Sequence, residues 1–93
     1  MAVKLAEMVE FARDGIVSKT IVQGEWGKVI LFCMARGQVL SEHTASVPAA
    51  IHVLSGKCTV KLGANEHRTA PGSLFFMPAR LVHAVRAEQD LVF

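Results

Sequence analysis

Tyrosine is missing from this chain of 93 residues, tryptophan occurs once, proline three times and cysteine twice. Charge is sparse as well: ten basic and eight acidic residues are scattered along the chain and leave a net +2. With no basic run and no aromatic ladder, nothing tracks a nucleic-acid backbone, and no nucleic-acid partner is expected. No apolar run approaches the ~18 residues of a membrane helix. The longest, Val29 to Ala35, has seven. Glu7 and Glu10 interrupt the apolar residues of the N-terminus, which argues against a secretory signal. A cytoplasmic protein with no membrane partner is the expectation. Cys33 and Cys58 both lie in apolar, strand-like segments, so buried reduced thiols are expected rather than a disulfide. Nucleophile signatures are absent too. Ser41, Ser46, Ser55 and Ser73 have no G-x-S-x-G context, neither cysteine has a histidine at an interpretable spacing, and no glycine-rich phosphate loop occurs.

What the chain has in excess is apolar side chains, at 52% of residues. A domain this small buries only roughly 60–65% of its extended-chain surface. Part of the apolar excess is therefore expected to face a partner subunit, and a homodimer follows as the expected assembly. One domain spans residues 1–93. Within it Leu5, Met8, Val9 and Ala12 fall at the spacing of a short amphipathic helix that Asp14-Gly15 ends, so residues 1–15 form an N-terminal helical segment docked on the main body.

From Ile16 onward the pattern changes to short, β-branched and apolar pieces punctuated by Gly, Pro and Asn. Ile16 to Val22 reads as a strand, Gln23-Gly24-Glu25 as a turn, and the following stretch to Arg36 as a longer strand apolar on both faces. Lys57 to Leu62 alternates, with Cys58, Val60 and Leu62 on one face, and Gly63-Ala64-Asn65 turns it back. Strands recurring at about ten-residue spacing point to an all-β sandwich or barrel of the jelly-roll kind over residues 16–93. No helix-length segment separates the later strands, which excludes a parallel α/β sheet. The sequence stops on Leu91-Val92-Phe93, so either the last strand is paired to its end or the chain is clipped.

Two stretches inside this region answer each other. Gly37 is followed after six residues by His43, and the segment runs on through Ile51-His52-Val53 to Gly56; Gly72 is followed after six by Pro78 and after five more by His83. This layout resembles the cupin superfamily, whose motifs read G-x5-H-x-H-x3,4-E-x6-G and G-x5-P-x-G-x2-H. The likeness covers the chain from about Val17 onward and implies a small single-domain cupin, a double-stranded β-helix or RmlC-like jelly-roll barrel. Cupins that match both motifs in full hold a metal with three histidines and a glutamate inside the barrel. Laid on this sequence, the first and last histidines are His43 and His83, the second falls at Ala45, and the glutamate at Ala49 or Ala50. The glycine after Pro78-Ala79 is Arg80.

A firmly held metal usually takes three or four protein ligands. Two imidazoles would bind a divalent ion (Fe, Mn, Ni or Zn) weakly, with His52 the candidate third ligand if a loop irregularity turns it inward. The alternative is a metal-free pocket in which His43 and His83 hydrogen-bond a ligand or water, Arg80 at the mouth pairs with a carboxylate, and Ile51, Val53 and Phe76 supply apolar walls. Alternation turns His52 away from Ile51 and Val53, and Glu42 away from His43. His67, beside a turn, reads as a surface residue. Two functions stand open: a small-molecule-binding domain around His43 and His83, and a metal-dependent enzyme of dioxygenase or isomerase type using both as ligands. No catalytic residue is assigned.

Overall fold

The computed structural model describes all residues from Met1 to Phe93. Nine strands follow one short turn of 3-10 helix over Leu5–Met8: β1 Ile16–Gly24, β2 Gly27–Met34, β3 Val39–His43, β4 Ala49–His52, β5 Cys58–Leu62, β6 Asn65–Thr69, β7 Leu74–Met77, β8 His83–Ala87 and β9 Leu91–Val92. All pairing is antiparallel. One sheet runs β3-β8-β5-β6; the other begins β1-β2-β9 and continues to the β4-β7 pair. That continuation is made by the bridge of Ser55 to Val92 and by the Leu54 amide donating to the Val92 carbonyl at 2.8 Å. The expected jelly-roll barrel is therefore present.

The larger core cluster holds the inward positions of both sheets: Met34, Leu91 and Phe93 from β2 and β9, Ile51 and Met77 from β4 and β7, and Cys58, Val60 and Val85 from β5 and β8. Burying this many apolar side chains is the main source of stability in a chain with few ion pairs. A second, smaller cluster lies on the outer side of the first sheet, where Leu31, Cys33 and Val92 are covered by Met8 and Val9 of the N-terminal segment. β2 is thus apolar on both faces because both are covered. Cys33 and Cys58 fall into different clusters and are free, buried thiols.

Two expectations change. The N-terminal helix shrinks to one 3-10 turn, because its first residue has no side-chain cap and Val9 is already extended (φ −66, ψ 129). Isolated segments of this length cannot sustain α-helix, and packing on the sheet decides their shape instead. Met8 and Val9 still dock, whereas Ala12 is exposed. The first hairpin also turns later than expected, at Glu25-Trp26, so that β1 runs through Gly24. The chain's last residues are paired: Phe93 exchanges backbone hydrogen bonds with Phe32, and their rings stack at 4.9 Å.

Candidate functional site

His43 and His83 are directly opposite each other on β3 and β8, with Leu62 of β5 completing the row. Simple alternation does not produce this. Leu40 faces Val85, so an unbroken ladder would bring Glu42 opposite His83 and turn His43 outward. An irregularity between Leu40 and His43 adds one residue to β3, and both Leu40 and His43 then face inward. Glu42 is left on the outer surface, paired with Lys61. This hydrogen bond and the Glu42 charge raise the Lys61 pKa.

The two rings meet edge to face with centroids 4.0 Å apart. His83 is buried at 6% exposure, while His43 stands open to solvent, so the pair spans the step from interior to mouth. Each ring is tethered in the same way. His43 Nδ1 lies 2.7 Å from the Ser41 carbonyl, and His83 Nδ1 lies 2.9 Å from the Leu81 carbonyl. A carbonyl only accepts, so Nδ1 carries the proton in both, and in the neutral form of each ring the Nε2 lone pair is the one left to accept. The chain thus presents two imidazole acceptors in a fixed tautomer beside an apolar core.

The remaining candidates divide. Ile51 (8% exposed) and Val53 (0%) face the interior and pack in the main core cluster. His52 does not join the histidine pair: it alternates with them, lies exposed opposite Leu74, and faces away from the core. Phe76 does not wall the interior either. It is 66% exposed on the outer face of β7, and Phe75 and Met77 take the inward positions. The two-residue period of the strand decides both cases. Phe75 packs against the core and tilts over His67 at 5.8 Å, so His67, although exposed, edges the barrel interior.

Arg80 is exposed, and its backbone carries the surprise. It sits at φ +70, a left-handed conformation that suits glycine, and its amide donates to the Ala45 carbonyl at 2.7 Å. That bond ties the loop before His83 to the loop after His43. Gly56 fixes the missing carboxylate at Ala49: it sits at φ +83 with a would-be Cβ only 2.1 Å from the Asp90 carbonyl oxygen, so the motif glycine cannot be displaced by a residue. Counting back from Gly56 lands on Ala49, which faces inward, and not on exposed Ala50.

No group of three or more His, Cys, Asp or Glu is arranged to hold a metal ion. With alanine at both other ligand positions, the donor set does not suit a resident metal. A groove of about 330 Å³ opens elsewhere, on the outer face of the four-stranded sheet between Ser41, Thr59, Lys61 and Arg86. Its cations are already tied by Glu42 and Glu88. It shares no residue with the histidine pair.

The motif spacing, the paired histidines and the two-sheet barrel meet in one comparison: the sequence pattern of the cupin domain matches residues 30–93. The chain belongs to the cupin family. Among solved structures, this cupin resembles a cupin superfamily protein from Desulfitobacterium hafniense (20% identity, TM-score 0.90, covering 99% of this chain and 84% of that one). It also resembles an RmlC-like cupin from Desulfovibrio desulfuricans (25% identity, TM-score 0.89, covering 99% and 90%). A more distant likeness is to the salicylate 1,2-dioxygenase of Pseudoaminobacter salicylatoxidans, at 14% identity and TM-score 0.76 over 84% of this chain and 25% of that one; it is a likeness of fold alone. No curated protein matches the chain by sequence.

Proposed function

We propose that this cupin binds a small molecule at His43 and His83 and does so without a resident metal. The observation that carries the reading is the shared tether: both Nδ1–H groups are held by carbonyls, so two Nε2 lone pairs are offered as acceptors. The ligand group that suits them is a donor such as a hydroxyl or an N–H, with Leu62, Leu81 and Phe75 as apolar neighbours packed on the core. Arg80, exposed on the adjoining loop, is the cation proposed to pair with a carboxylate on such a ligand. The second reading, a metal-dependent enzyme of dioxygenase or isomerase type, draws on the same tautomer, which is also the one a metal-ligating imidazole adopts. It requires an iron, manganese, nickel or zinc ion whose shell is completed from outside the protein.

Two measurements on untagged protein separate the readings. Titration with zinc, nickel, manganese and iron(II) is expected to show binding weaker than about micromolar, far below the affinity of a full ligand set. Retention of one equivalent of metal through dialysis would hand the site to the enzyme reading. A panel of hydroxylated and carboxylated small molecules, read by the imidazole NMR signals, is expected to include binders that move His43 and His83 together. His43→Ala or His83→Ala should abolish that response with the strands intact, and a panel that moves neither ring defeats the binding reading.

A further inference from the structure

We infer that the ligand of the histidine pair is a small hydroxy acid, and that Arg80 selects it by binding its carboxylate. The inference rests on the reading of His43 and His83 as a small-molecule site and names the class of molecule that enters it. Three loops border the row formed by His43, His83 and Leu62: 44–48 after β3, 78–82 before β8, and 63–64 between β5 and β6. Backbone hydrogen bonds tie them together. The Arg80 amide donates to the Ala45 carbonyl at 2.7 Å, and the Gly63 amide to the Val82 carbonyl at 2.7 Å. Arg80 is the one charged side chain these loops carry. Glu42, the carboxylate next to His43 in sequence, is turned to the outer surface and paired with Lys61. The loops around the pair therefore bear a positive charge and no acid to neutralise it.

The fold itself makes no use of the Arg80 side chain. It is exposed and enters no ion pair and no hydrogen bond, whereas Lys19, Lys61 and Arg86 are each tied to a glutamate. Lys4, Arg13 and Lys28 are unpaired as well, but none of them sits at positive φ. Arg80 differs in what its position costs. Only Arg80 and Asp14 combine a side chain with positive φ, at +70 and +51, and aspartate tolerates that conformation by bonding locally. Glycine at position 80 would take the same angle without strain and donate the same amide to Ala45. The fold needs the turn, and it does not need the guanidinium. Strain kept beside a binding site, at a position where glycine would relieve it, marks a side chain retained for function.

The two ends of the site sort the two ends of the ligand. In the neutral rings the Nε2 lone pairs of His43 and His83 repel carboxylate oxygens and accept from a hydroxyl. A guanidinium has donors only and takes a carboxylate through two parallel hydrogen bonds. One small molecule satisfies both when it carries a hydroxyl and a carboxylate. A neutral polyol leaves the guanidinium unpaired, and a plain carboxylate leaves the imidazoles unpaired.

Matched acids and amides are the test: glycolate with glycolamide, lactate with lactamide, gluconate with gluconamide. Each is titrated into the wild type, Arg80→Gly and Arg80→Gln, and binding is read from the imidazole NMR signals of His43 and His83. At least one acid is expected to bind the wild type about 10-fold more tightly than its amide, the worth of a charge-assisted hydrogen bond. Both substitutions should bring that acid down to the affinity of its amide and leave the amide unchanged. Arg80→Gly should unfold at a midpoint no lower than wild type, which separates lost recognition from a lost fold. Amides that bind the wild type as tightly as their acids, or an acid preference that survives both substitutions, overturn the selection by Arg80 and leave the histidine site standing. Acids and amides that move neither ring overturn this inference together with the small-molecule reading beneath it.

Discussion

Single residues in this barrel separate two reasons for needing glycine. At Gly37 the backbone is left-handed (φ +85) with open space around it, so Gly37→Ala should cost only the conformational strain of about 1–2 kcal/mol. At Gly56 the same conformation is joined by a carbonyl oxygen 2.1 Å from any Cβ, and backbone there must move. Gly56→Ala is expected to cost clearly more, at least about 3 kcal/mol, and urea unfolding of the two variants should rank them in that order. Arg80 reverses the sign. It keeps the left-handed angle without being glycine, so Arg80→Gly should raise stability by up to about 1 kcal/mol, the relieved strain exceeding the extra freedom glycine gains when unfolded. The glycines were legible in the sequence as turn signals, as was the misfit at Arg80. Their different severities were not, because Asp90 is distant in sequence from Gly56 and meets it only in the fold.

At the scale of elements, the strands and their alternation were legible because each face of each sheet has a consistent solvent or core environment. The period placed Ile51 and Val53 inward, and it also places Phe76 outward, where sequence reading had offered it as a pocket wall. The inward turn of His43 depends on the extra residue in β3, and nothing local in Val39-Leu40-Ser41-Glu42-His43 announces it. The motif spacing alone pointed to that histidine. The N-terminal segment was legible as amphipathic and misread as α-helix, since docking needs only Met8 and Val9. Those two side chains shield Cys33, which gives the segment a measurable role. Met8→Asp with Val9→Asp should strip the cover from Leu31, Cys33 and Val92, lower the thermal midpoint, and make one thiol react with a disulfide reagent at neutral pH. Cys58, buried in the other cluster, should stay silent. Two reactive thiols, or none, would contradict this division of the core.

For the whole molecule, stability should depend on pH through two groups at the same end of β5 and β8. Glu88 accepts a hydrogen bond from the Thr59 hydroxyl at 2.8 Å and pairs with Arg86 at 3.2 Å. Those bonds, Thr59 first, lower its pKa from the ordinary 4.5. A carboxylate whose folded pKa is depressed stabilises the fold above its unfolded pKa, and that contribution fades as pH falls through the folded value. Cys58 works from the alkaline side. Burial, reinforced by the Glu88 charge, pushes its thiol from 9.0 up to about 11. Above its unfolded pKa the unfolded thiol gives up its proton while the folded one keeps it, so the unfolded state binds fewer protons and stability falls as pH rises. The loss should reach about 1–1.5 kcal/mol by pH 10 and continue until the folded thiol itself ionises. Urea unfolding at pH 7 and pH 10 reads the difference directly. Cys58→Ala removes the thiol from both states, so the variant, although less stable at every pH because of the cavity it leaves, should lose about 1–1.5 kcal/mol less than wild type between the two conditions. An equal fall in both proteins would place the alkaline sensitivity outside Cys58.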